Sequence, residues 1–153
     1  MKLKKNKIVL IVIVIIVGGL VGIYNIEKSK PKNVIEGNLN LRLPSTSKII
    51  NYQYDNMGGY FDAKILIESN QINDIKEQLN NFFGGVSNRN LSEMPNFENT
   101  CQWWDLDKNS IETYYLKYVS GGYSIFKRLP KSRGIWAFIS KDNEGNYYLY
   151  ISY

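Results

Sequence analysis

The sequence predicts an α+β protein: a single N-terminal transmembrane helix, then a small antiparallel β-sheet domain with one amphipathic helix. Three observations predict it. An uncharged apolar run fills Ile8–Tyr24. After Lys48, apolar and polar residues alternate with period two, and turn-forming clusters recur at hairpin spacing. One stretch, Gln71–Phe83, has helical spacing instead. The order read from these signals is β-β-α-β-β-β, and the chain of 153 residues is long enough for about one such domain.

The apolar run comes first. Its seventeen uncharged positions, IVLIVIVIIVGGLVGIY, stand at the short end of what crosses a bilayer as a helix. Lysines on both sides can extend their ammonium groups to the headgroups, and Tyr24 suits the interface. The β-branched residues lower helix propensity in water, but in lipid the backbone has no partner other than itself. A cleaved secretory signal shares this layout and is the alternative. Against it, the apolar stretch is longer than a usual signal core, and no A-x-A-like site follows; the chain's alanines are Ala63 and Ala137. Four lysines precede the run, whereas three lysines and a glutamate follow it closely. This bias places residues 1–7 in the cytoplasm and everything after 24 outside. Gly18 and Gly22 form a G-x-x-x-G that would let two such helices pair closely; the same spacing is also common in unpaired membrane helices.

Residues 25–43 are rich in lysine and asparagine, with Pro31 and Gly37, and read as a stalk below a domain spanning 44–153. Lys48–Tyr54 is the first strand, with Ile50, Tyr52 and Tyr54 on one side. Turn formers at 55–59 lead into Tyr60–Glu68, where Phe61, Ala63, Ile65 and Ile67 share a face. Ser69 or Asn70 would cap the helix, in which Ile72, Ile75, Leu79 and Phe82 align and which Gly84-Gly85 ends. Val86–Gln102 has no strong period. Strands are then expected at Ile111–Val119, Ile135–Ser140 and Tyr147–Tyr153, with Tyr123–Leu129 an optional fourth and a basic bend at Pro130–Gly134. The last two strands form a hairpin about 142–146.

Charge narrows the function. The net charge of +5 suggests a nucleic-acid binder, yet residues 1–34 carry +6 and the rest −1. The excess is an orientation signal, so no nucleic acid is expected as a partner. No histidine is present, which excludes Ser-His and Cys-His nucleophile pairs and histidine metal ligands. A single cysteine, Cys101, allows no internal disulfide and no thiolate zinc cage. Asp105-x-Asp107-x-Asn109 matches half a calcium loop, but Ser110 stands where glycine belongs and Leu116 where glutamate belongs. No cofactor or metal is expected.

The remaining candidates favour binding over catalysis. Lys127, Arg128, Lys131 and Arg133 place four positive charges in seven residues, suited to an anionic partner or to a solvated turn. Trp103 and Trp104 would face opposite sides of a strand, with one exposed for contact or with both serving core and edge packing. Eight of the twelve tyrosines lie from Tyr114 onward; they form either a binding face or a packed one. The expected function is a non-enzymatic binding or protein-interaction module tethered at the cell envelope. Trp103, Trp104, Lys127, Arg128, Lys131 and Arg133 would recognise an anionic envelope component or a membrane protein. Alternatives are an accessory subunit of a membrane complex and a hydrolase of envelope glycans, with Asp105, Asp107 and Glu112 the nearest carboxylates.

Overall fold

A computed structural model describes residues 12–20, 29–55, 59–85, 87–88, 105–120 and 132–153. Residues 12–20 form a helix, α1, with every residue exposed, Ile15 by 67% and Val14 by 63%. Among the described residues, no helix is long and apolar enough to cross a membrane. The remainder of the expected span, Gly22 included, lies outside them.

The α+β architecture is as expected: an antiparallel sheet with helices on one face. The strands are β1 (Lys48–Asp55), β2 (Tyr60–Ile67), the two-residue β3 (Ser87–Asn88), β4 (Ile111–Ser120), β5 (Ser132–Lys141) and β6 (Tyr147–Ser152). They lie side by side as β1-β2-β6-β5-β4-β3, with every neighbouring pair antiparallel. The C-terminal strand is therefore central, inserted between β2 and β5.

Two helices cover one face, not one. Helix α3 (Ile72–Phe83) is the expected amphipathic helix, burying Ile72, Ile75, Leu79 and Phe83; Phe82 is only partly buried. Its entry differs from expectation. Ser69–Gln71 form a 3₁₀ turn running into the helix, and no side chain caps it. Its exit is as read: Gly84 adopts φ 81°, and the Gly84 and Gly85 amides both donate to the Asn80 carbonyl.

Helix α2 (Pro31–Leu39) occupies the stretch expected as a stalk. Pro31 opens it, where a missing N–H costs no intrahelical bond, and Asn40 closes it in the left-handed conformation at φ 47°. Ile35 and Leu39 are fully buried, and Leu41 and Leu43 follow them into the core. The folded unit thus begins well before residue 44. Glu36 secures the exit, since its Oε1 accepts from the Leu43 amide at 2.7 Å.

Three strand details also differ. In β1 a bulge falls between Ile49 and Asn51, so Ile49 and Tyr52 turn toward the core while Ile50 is left 47% exposed. Strict alternation had placed Ile50 with Tyr52. Strand β5 starts at Ser132, so the expected bend at 130–134 is already paired strand from that residue; Arg133 lies opposite Val119. Ser87–Asn88, within the expected loop, pairs with Tyr115 and Tyr114. The optional strand at Tyr123–Leu129 lies outside the described residues.

The main core lies between the helices and the sheet, where Ala63, Ile65, Ala137, Ile139, Leu149 and Ile151 are all fully buried. On the sheet's other face Leu106, Ile111, Tyr114, Phe138 and Tyr150 form a second buried cluster.

Candidate functional site

The second face carries the most concentrated polar chemistry among the described residues. Strand alternation sets it up. On β2, Lys64 lies between Ala63 and Ile65, both of the main core, so it points to the opposite side. Its register partner on β6 is Tyr150, and Tyr150 in turn lies opposite Phe138 of β5. Just before a 3₁₀ turn at Lys108–Ser110, buried Leu106 pins the incoming segment to this face and brings Asp105 over the two strands.

The contacts are close. The Lys64 ammonium donates to both Asp105 oxygens, at 2.8 and 2.7 Å, and the Tyr150 hydroxyl donates to Oδ1 at 2.7 Å. Lys64 also lies 4.8 Å from the Tyr148 ring centroid and 5.4 Å from that of Tyr150. The Lys64 side chain is 12% exposed, whereas that of Asp105 is 63% exposed. Burial pushes the Asp105 carboxyl up, but the hydrogen bonds from Lys64 and Tyr150 and the lysine charge outweigh it and hold it below its ordinary value. Burial first, then the Asp105 hydrogen bond and charge, push the Tyr150 hydroxyl well above its ordinary value. Tyr148 is raised by burial and by the Asp142 carboxylate nearby. The tyrosines keep their protons at neutral pH, and Asp105 is ionised. The group is a satisfied ion pair among aromatic rings, with one carboxylate edge open to solvent.

An aromatic row extends from it along β5. Trp136 lies parallel to Phe138 at 6.4 Å, and Phe138 stacks on Tyr114 at 6.3 Å. The indole covers Gly134 so closely that a Cβ there would lie 2.9 Å from its Nε1. The tyrosines divide accordingly. Tyr114, Tyr115 and Tyr150 are buried, Tyr147, Tyr148 and Tyr153 are half-buried, and Tyr118 is 67% exposed.

The expected site residues are distributed as follows. Trp103, Trp104, Lys127, Arg128 and Lys131 lie outside the described residues, and Arg133 is on β5. The three carboxylates considered for hydrolysis have separate partners. Asp105 binds Lys64 and Tyr150, Asp107 accepts from the Asn109 amide at 2.9 Å, and Glu112 accepts from Lys76 of α3 at 3.1 Å. Asp105 and Glu112 are thereby drawn to opposite faces of the sheet. Among the described residues, no three His, Cys, Asp or Glu side chains converge on a point. Sequence reading missed Lys64, Tyr148 and Tyr150 as a group. Lys64 carried a signal: a lysine within an otherwise apolar-rich strand, at the register of a tyrosine-rich one.

On the helix side, two wide-mouthed depressions of about 490 and 510 Å³ meet at Arg42 and Gln78. The Gln78 amide bonds the Arg42 backbone in both directions, at 2.7 and 3.3 Å. Asp74, Glu77 and Asn81 line the first depression, and Glu36 and Asn40 the second.

Comparison with known proteins finds no matching family model, no matching characterised protein and no matching solved structure.

Proposed function

We propose that this protein is a membrane-anchored binding module. Residues 8–24 span a bilayer with the N-terminus in the cytoplasm, and the α+β domain outside holds a partner without catalysing a reaction. The observation that carries the reading is α1, whose residues are all exposed and which lies within a seventeen-residue uncharged run flanked by lysines. Apolar side chains exposed on every side of a helix suit lipid and not water. Against catalysis stand the missing histidine and three carboxylates engaged with different partners. The partner is an anionic envelope component or another membrane protein, met through Trp103, Trp104, Lys127, Arg128, Lys131 and Arg133.

The test is topology. A full-length chain with an epitope at each terminus should resist alkaline carbonate extraction. Protease added outside intact cells should remove the C-terminal epitope and spare the N-terminal one. Extraction by carbonate, or a C-terminal epitope cut only after lysis, would sink the reading. An N-terminal epitope missing from the mature chain would identify a cleaved signal instead.

A further inference from the structure

Strand β1 ends the sheet, paired with β2 alone among the described residues. None of its eight residues is buried, and Ile50 and Tyr54 are 47% and 43% exposed. Exposed edges ordinarily carry a bulge, a lysine or a proline that discourages further pairing. Here the bulge and Lys48 are both at the N-terminal end. From Asn51 to Asp55 the register against β2 is unbroken, and the segment contains neither proline nor lysine. The opposite edge differs, because β3 covers Tyr114 and Tyr115 of β4. Within the open segment the Tyr52 and Tyr54 rings lie 6.4 Å apart and nearly parallel, Tyr52 packing against the main core while Tyr54 is exposed.

We propose that this edge binds a second copy of the chain, Asn51–Asp55 pairing antiparallel with itself about a two-fold axis at Gln53. The register follows from geometry. A two-fold axis perpendicular to the sheet keeps each face on its own side, and directly opposed residues share a face. Opposed positions must therefore differ by an even number. An axis at Asp55 would set two carboxylates against each other, and one at Tyr52 would draw bulged Ile50 into the ladder. An axis at Tyr54 would leave Asn51 and Tyr52 opposite positions 57 and 56, past the end of β1 at Asp55. The axis at Gln53 uses the whole regular segment. It sets Tyr52 against Tyr54 of the second copy, Asn51 against the second copy's Asp55, and brings no like charges together. The Tyr52–Tyr54 rows of both copies become one ladder, continued inward by Phe61 at 6.0 Å and Tyr153 beyond it at 5.2 Å.

Five residues a side make a small interface, so the dimer is weak and concentration-dependent. Anchoring in a bilayer would raise its population, but the edge pairing itself does not depend on that reading.

The experiment uses the full-length chain in mild detergent with Cys101→Ser as background. Gln53→Cys should form a disulfide-linked dimer under mild oxidation, because opposed axis residues come within disulfide reach. Tyr118→Cys, on β4 toward the opposite edge of the sheet, should stay monomeric. Gln53→Lys should weaken dimerisation about five- to tenfold, and an equimolar mixture with Gln53→Glu should restore it. Circular dichroism establishes that each variant is folded. Overturning results are a folded Gln53→Cys chain that does not cross-link, or equal cross-linking by Tyr118→Cys. A dimer indifferent to Gln53→Lys but abolished by Gly18→Leu would assign association to the N-terminal helix and also overturn the edge.

Discussion

Lys64 and Asp105 illustrate how far a single residue can be read from its neighbours in sequence. The alternation of β2 put Lys64 on the face opposite Ile65, and that much was legible. Its carboxylate partner lies 41 positions away, and only the segment pinned by Leu106 brings the two together. The pair makes a definite pH prediction. Asp105 is held below its ordinary value of 3.8, so its contribution to stability is complete above that value and is lost as pH falls through the lowered folded one. Solvent screening of a side chain that is 63% exposed limits the effect to about 1 kcal/mol. Asp105→Asn should therefore lower the Tm at pH 7, and the gap from wild type should close on acidification. A gap unchanged across thermal melts down to the acid limit would rule out the ion pair as its source.

Elements were legible where periodicity was long and unbroken. Strand β2 and helix α3 each keep one apolar face through their length, and both stand where the spacing predicts. Helix α2 was hidden because nine residues give it only about two and a half turns, with Lys32, Asn33, Glu36, Gly37 and Asn38 outnumbering its apolar positions. Its signal was local chemistry: proline at the first turn, Ile35 and Leu39 four apart, and asparagine just past the end. The bulge in β1 left no trace in the hydrophobic pattern, because isoleucine at 49 and at 50 suits either face. The membership of α2 in the folded domain can be tested directly. Ile35→Ala, at a position with no exposure, should cost about 2–5 kcal/mol of stability in urea unfolding. A stalk residue would change the midpoint negligibly.

At the scale of the whole molecule, the decisive feature is the central place of β6. It pairs with β2 on one side and β5 on the other, and Leu149 and Ile151 are fully buried. Deleting residues 147–153 should therefore remove cooperative unfolding altogether, read as loss of a sigmoidal thermal transition. A truncated chain that still melts cooperatively would contradict this topology. The sequence alone determined the α+β class, the antiparallel pairing of neighbouring strands, the exclusion of histidine chemistry and the concentration of positive charge in the first 34 residues. Composition, local periodicity and turn residues suffice for those, because each is a property of contiguous chain. Tertiary structure alone decided that the last strand lies between the second and fifth, that two helices cover one face, and that Lys64 meets Asp105. These depend on long-range burial: β6 completes two hydrogen-bonded ladders and a shared apolar face at once, a gain that no local pattern along the chain encodes.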